Sequence, residues 1–110
     1  MEYLFSYGTL QEERIQLKLY GRILKGEKDV LPGYSINLVE NKSYDAQPGM
    51  DEKFHRLAVM SNNHKDGITG TLFEMSEEEL VRTDEYEPDG YKRISATLLS
   101  GKPCWVYVAG

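Results

Sequence analysis

The 110-residue chain has one cysteine, Cys104, so it can form neither an internal disulfide nor a paired-cysteine metal knuckle. It has no G-x-G-x-x-G motif and no P-loop, which removes the common nucleotide-binding signatures. Ser6 lacks a G-x-S-x-G frame, and no Ser/His/Asp set emerges. The two histidines, His55 and His64, fall in polar segments without a partner at metal-ligand spacing, and we expect both on the surface. No metal and no organic cofactor is expected. Long apolar runs are also missing. The longest, Cys104 to Ala109, is six residues, against the ~20 a membrane helix needs. The start, Met1-Glu2-Tyr3, has neither a basic nor a long apolar leader region. We therefore expect a cytoplasmic protein without a membrane partner. Positive charge is in short supply: 13 Lys and Arg against 18 Asp and Glu give a net charge of −5. That balance speaks against a nucleic-acid partner.

What is present is globular in character, with 40% hydrophobic and 28% charged residues. The length fits one domain over residues 1–110. Glu2–Tyr7 is short, aromatic and apolar, as a strand requires. Gly8 breaks it, and Thr9-Leu10-Gln11-Glu12 fits a capping box with Thr9 as N-cap. A helix over about Leu10–Tyr20 follows, stopped by Gly21. Val30–Val39 reads as a strand with an early Pro-Gly interruption, and Leu57–Met60 and Ile68–Met75 as two more. Gly70 marks a bulge or a close approach. Ser76 and Glu79 form a second capping box, with Met75 placed to staple onto Leu80. Pro88 limits that helix. Tyr91–Leu99 and Cys104–Ala109 read as a hairpin. Glu40–Phe54 and Ser61–Gly67 are polar and loop-like. The sum is an α+β fold: a small, mostly antiparallel sheet, closing into a β-barrel, flanked by two short helices.

Two places could carry chemistry. The turn Tyr7-Gly8-Thr9-Leu10 joins a strand to a helix start, where backbone N–H groups lack partners and the dipole is positive. Such a turn can hold a carboxylate or an amide oxygen. The simpler reading is that Gly8 only turns the chain and Thr9 only caps it. The second place is Asp84-Glu85-Tyr86-Glu87-Pro88. With Leu80 facing the core, helical spacing carries Asp84 and Glu87 onto the same face. Burial and the negative helix end would both raise a carboxylate's pKa toward the range of a general base. Alternatively the helix frays by Asp84 and both acids are solvated. Tyr91 and Arg93 share a strand face, and Arg93 could hold a buried or a substrate carboxylate, or stay in water. Cys104 reads as core, and Tyr86, Trp105 and Tyr107 as core or cavity wall.

Taken together, these segments resemble the γ-glutamylcyclotransferase-like (AIG2-like) family. The residues that carry the resemblance are Tyr7-Gly8-Thr9-Leu10, Tyr20-Gly21-Arg22 and Leu31-Pro32-Gly33-Tyr34. They continue with Ile68-Thr69-Gly70-Thr71-Leu72-Phe73-Glu74-Met75, Asp84-Glu85-Tyr86-Glu87, Tyr91-Lys92-Arg93 and Trp105-Val106-Tyr107-Val108. They span most of the chain in the family's order. The chain departs from many relatives at Phe54–Val59, where a Tyr-Pro pair is common, and at Thr83 and Pro88. The resemblance implies a small β-barrel with a cavity between the N-terminal turn and the end of the second helix. It implies an enzyme in which Glu87 is the acid/base and Tyr7, Gly8, Thr9 and Leu10 bind substrate, with Tyr91 and Arg93 beside them. The implied partner is a small γ-glutamyl compound, either an amine or a dipeptide. The α-amine attacks its own γ-carbonyl to give 5-oxoproline and a free amine. A monomer or weak homodimer is expected. Two other readings are a carboxylate-binding module without catalysis and a protein-interaction domain with an exposed apolar patch.

Overall fold

The computed structural model describes residues 1–40, 54–63, 65–87 and 89–110. Its elements are β1 (Glu2–Ser6), a single 3₁₀ turn (Thr9–Gln11), α1 (Glu13–Tyr20), β2 (Gly26–Pro32), β3 (Tyr34–Glu40) and β4 (Phe54–Met60). They continue as β5 (Gly67–Met75), α2 (Glu77–Tyr86), β6 (Tyr91–Thr97) and β7 (Pro103–Ala109). Five strands form one sheet in the order β2-β5-β1-β7-β6, and β3 pairs with β4 in a second, two-stranded sheet. Every pairing is antiparallel except β1 with β7, which meet in parallel at Leu4 and Trp105. The fold class is thus α+β with a mixed sheet and two helices.

Alternation along β1 builds the core. Leu4 and Phe5 are adjacent, both almost wholly buried, and point to opposite faces of the sheet. Leu4 belongs to a cluster with Ile15, Tyr20, Met75, Leu80 and Tyr86, beneath the two helices. Phe5 belongs to a second cluster with Tyr7, Leu31, Ala58, Cys104 and Val106, beneath the β3–β4 pair. The sheet is therefore a middle layer between helices and hairpin. Cys104 is buried in that second cluster, and burial pushes its thiol up to about 11, the behaviour of a small core residue.

The expected closure into a barrel does not occur among the described residues. β2 and β6 remain the edges of the main sheet. The cause lies at Pro32-Gly33. Gly33 has φ +81°, a conformation that favours glycine, and its N–H bonds to the Asp66 carbonyl at 2.8 Å. The chain is turned out of the main sheet there, so the single strand read over Val30–Val39 is two strands in two sheets. The tip of the β6–β7 hairpin still reaches β2: the Leu99 N–H donates to the Val30 carbonyl at 2.8 Å, and Ser100 Oγ donates to the Asp29 carboxylate at 2.5 Å.

The helix ends differ in how they form. Ser76 accepts from the Glu79 N–H at 3.1 Å, and the Glu79 carboxylate accepts from the Ser76 N–H at 2.9 Å, so that capping box is complete. Met75 and Leu80 lie in one cluster, as the staple requires. Gly21 ends α1 with φ 72°. Thr9, however, caps nothing: its place is a 3₁₀ turn, and α1 begins four residues later, after Glu12, without a side-chain cap. The loop expected between Glu40 and Phe54 lies, for residues 41–53, outside the described residues, as do His64, Pro88 and the side chain of His55.

At Gly70, β5 passes close against β1. A Cβ there would lie 2.4 Å from the Ser6 carbonyl oxygen and 2.7 Å from Phe5 Cζ. Backbone cannot yield as a flexible side chain can. Gly70→Ala should therefore lower stability by at least about 2 kcal/mol, the cost of overpacking a tight interior. A urea midpoint equal to that of the wild type would contradict it.

Candidate active site

A cavity of about 270 Å³ opens where β1 leaves the sheet. Its wall is made by the Phe5–Glu12 segment on one side and by Tyr86, Glu87, Tyr91, Tyr107 and Arg56 on the other. Residues from β1 and its turn, β4, the end of α2, β6 and β7 thus meet here.

The N-terminal side is a turn whose carbonyls are consumed and whose two middle amides are not. The Gly8 carbonyl accepts from the Gln11 N–H at 3.2 Å and from Gln11 Nε2 at 3.3 Å. The Gln11 side chain is held in turn by Thr71 Oγ1 at 2.8 Å. Gln16, buried in α1, donates from Nε2 to the Leu10 carbonyl at 2.8 Å, and its Oε1 accepts from the Leu24 N–H at 2.8 Å. The N–H groups of Thr9 and Leu10 have no acceptor among the described residues. A pair of backbone donors left open beside a cavity is an anion or carbonyl-oxygen site. Gly8 has φ −127° and nothing within 4 Å of a built Cβ, so neither backbone nor packing in the protein demands glycine there.

Hydroxyl groups fix the turn to the rest of the wall. Tyr7 donates to the Tyr107 carbonyl at 2.7 Å and accepts from the Ala58 N–H at 3.0 Å, which ties β1's exit to β7 and β4. Burial pushes its phenol up to about 12, so it stays protonated. Thr9 Oγ1 lies 2.9 Å from Tyr86 Oη, so the hydroxyl expected to cap α1 instead joins the turn to the end of α2. Tyr91 Oη donates to the Arg56 carbonyl.

The other pole is Glu87, which follows the last residue of α2; its N–H still bonds to the Thr83 carbonyl at 3.1 Å. Its side chain lines the cavity, and no donor reaches its carboxylate among the described residues. Burial, and secondarily the charge of Asp84, raise its pKa from 4.5 to about 8. Glu79, one helix length earlier, shows the opposite. Arg22 donates to both its oxygens, at 2.8 and 2.7 Å, and holds its pKa down at about 2 despite its burial. Partners, rather than depth alone, separate the two acids.

Glu87, Tyr7, Gly8, Thr9, Leu10 and Tyr91 therefore come together around one cavity. Arg93 does not join them. It holds Asp84 in a two-pronged pair at 2.9 and 3.1 Å and lies 4.5 Å above the Trp105 ring. The Asp84 expectation also needs correcting: its side chain is 38% exposed rather than buried with Leu80, because α2 turns Thr83 into the core instead. Tyr107 Oη donates to Asp84 at 2.5 Å. Tyr86 and Tyr107 are cavity wall, and Trp105 packs at the edge of the helix-side core. Three contributors were missed in the sequence: Gln11, Gln16 and Arg56. Gln11 stood three residues after the turn glycine, a weak signal; Gln16 and Arg56 gave none. Among the described residues no three His, Cys, Asp or Glu are grouped to hold a metal ion, and no helix is long and apolar enough to cross a membrane.

The chain belongs to the gamma-glutamyl cyclotransferase, AIG2-like family, whose model matches residues 4–110. No curated protein sequence matches it. Among solved structures, an Arabidopsis thaliana protein known in solution is 19% identical with a TM-score of 0.73; the match covers 98% of this chain and 61% of that one. An uncharacterized protein from Pyrococcus horikoshii is 20% identical, with a TM-score of 0.70 over 100% of this chain and 79% of the other. A structure described as a gamma-glutamyl cyclotransferase is 19% identical, with a TM-score of 0.72 over 99% and 66%. The chain thus spans about three-fifths of the Arabidopsis protein's length. At these identities the likeness is one of fold.

Two outcomes follow from Glu87. A carboxyl-carbon NMR titration should place its midpoint near 8, and Asp84→Asn should move it downward, because a like charge is removed. An unperturbed midpoint near 4.5 would contradict the burial argument. The second outcome concerns stability. An acid whose pKa is raised in the folded state binds protons more tightly there than when unfolded, so stability is lost as pH rises from about 4.5 through 8. Glu87→Gln should therefore stabilise the protein at pH 8 to 9, on the order of 2 kcal/mol. That gain should fade toward pH 4.5. Equal gain at both pH values would count against it.

Proposed function

We propose that the protein is a γ-glutamylcyclotransferase-type enzyme. It takes a γ-glutamyl-amine or γ-glutamyl dipeptide and releases 5-oxoproline and a free amine, with Glu87 as general acid and base. One observation carries this reading: a desolvated carboxylate without a donor and two residues whose amide N–H groups lack an acceptor line the same small cavity. Family membership supports it.

The nucleophile belongs to the substrate, so the absence of an activated serine or cysteine is no obstacle. The γ-carbonyl oxygen lies on the Thr9 and Leu10 N–H groups. The α-ammonium gives a proton to the Glu87 carboxylate, whose raised pKa makes it a strong enough base near neutrality. The freed amine attacks the γ-carbon, and a new C–N bond closes a five-membered ring. Charge that collects on the oxygen is met by the two amides. Glu87 returns its proton to the departing nitrogen, and the original C–N bond breaks. The ring nitrogen sheds its second proton as the amine leaves, giving a lactam and a protonated amine. Holding the glutamyl chain folded supplies most of the advantage, since intramolecular closures reach effective molarities of about 10⁵ M and more. At about 270 Å³ the cavity is near the small end of ligand sites, roughly 300–1,000 Å³, and suits a glutamyl group.

The test is 5-oxoproline release from a panel of γ-glutamyl-amines and dipeptides. Wild type should turn over at least one. Glu87→Gln should lower kcat by about 100-fold or more while calorimetric binding of the substrate persists. Turnover that survives Glu87→Gln would remove Glu87 from the chemistry. Binding without product in the wild type would make this a carboxylate-binding module.

A further inference from the structure

We propose that Arg56 determines specificity by holding a carboxylate on the amine that leaves. γ-Glutamyl amino acids are then preferred over γ-glutamyl-amines that lack one. This rests on the cyclotransferase reading above and deepens it.

Arg56 is the one cation lining the cavity among the described residues. Its guanidinium has a single long bond, from Nη1 to the Tyr7 carbonyl at 3.4 Å, and no carboxylate pairs with it among the described residues. The backbone that carries it is fixed at two points. The Arg56 carbonyl accepts from Tyr91 Oη, and the Ala58 N–H donates to Tyr7 Oη at 3.0 Å. β4 is therefore held against the cavity wall while most of the five guanidinium donors stay uncommitted, and a planar fork of this kind matches a carboxylate. The other lining acid, Glu12, already pairs with Arg14 at 3.2 Å, so it does not claim Arg56.

Position decides which carboxylate is read. The closing ring has to lie between Glu87, which is half-buried, and the Thr9 and Leu10 amides. Arg56 is exposed, on the solvent side of the same cavity wall. The leaving amine departs from the γ-carbon away from the ring, toward that solvent side. A carboxylate one carbon from the leaving nitrogen, as in any α-amino acid, comes within reach of the guanidinium. An alkyl amine leaves the guanidinium to water and gains nothing from it.

The experiment compares γ-glutamylalanine with γ-glutamylethylamine, which differ by that one carboxylate. The wild type should favour γ-glutamylalanine by tenfold or more in kcat/KM. Arg56→Gln should reduce that ratio at least tenfold, and Arg56→Lys should restore part of it. A ratio near one in the wild type, or one that Arg56→Gln does not alter, would overturn the assignment. So would an equal fall on both substrates, which would put Arg56 on the glutamyl group's own carboxylate. These outcomes leave the cyclotransferase reading standing. No 5-oxoproline from either substrate, or from any in the wider panel, would sink that reading and the inference with it.

Discussion

Glu79 and Glu87 lie at opposite ends of one ten-residue helix, and nearly everything functional in this protein follows from how differently they are treated. Glu79 is met by a two-pronged guanidinium and by the Ser76 N–H, so its charge is stabilised where it stands. Glu87 is withdrawn from water and given no donor, with Asp84 adding a charge of the same sign. Desolvating a carboxylate without a partner is costly, and the neutral form is favoured instead. A fold retains such a group at the expense of its own stability. Arg93 belongs to this arrangement at one remove. By pairing with Asp84 it limits the field that Asp84 imposes on Glu87, and Tyr107 holds the same aspartate from the cavity side.

The opposite pole is made from backbone. The side chains of Gln11 and of buried Gln16 satisfy the Gly8 and Leu10 carbonyls, which leaves the intervening N–H groups to the cavity. This depends on three layers being in register. Leu4 and Phe5 anchor β1 to helices on one side and hairpin on the other, so the segment that follows is delivered between them. Tyr7 and Tyr86 then lock the turn to β4, β7 and α2. Tyr91 and Tyr107 add cross-links of their own, to β4 and to Asp84 on α2, while Glu87 and the Arg56 guanidinium are left to the cavity.

Much of this was legible in the residues because much of it is local. The Ser76–Glu79 box, the Met75–Leu80 staple and the Gly21 stop are each set within a few residues, and each is found as expected. Gly70 was legible in another way, as a glycine inside a strand that marks a close approach, here to β1. What failed depended on partners distant in the chain. Thr9 had a good capping sequence, but its hydroxyl meets Tyr86, 77 residues away. Asp84 and Glu87 both lay on the expected stripe, yet the helix rotates Thr83 inward, where Tyr20 Oη lies 2.5 Å from its hydroxyl. Arg93 was read as a partner for a helix-end or a substrate carboxylate, or as solvated; it is Asp84, at the helix end, that claims it. Arg56 was invisible because its strand carries no local signal of which wall it joins. The barrel expectation went astray at one glycine, Gly33, whose left-handed conformation sends the chain into a second sheet.

The most direct measurement is a crystal structure with 5-oxoproline bound. The account predicts the lactam carbonyl oxygen within hydrogen-bond distance of the Thr9 and Leu10 N–H groups, and the ring N–H facing the Glu87 carboxylate. A ring bound elsewhere, or Glu87 turned to solvent while the ring fills the cavity, would contradict it.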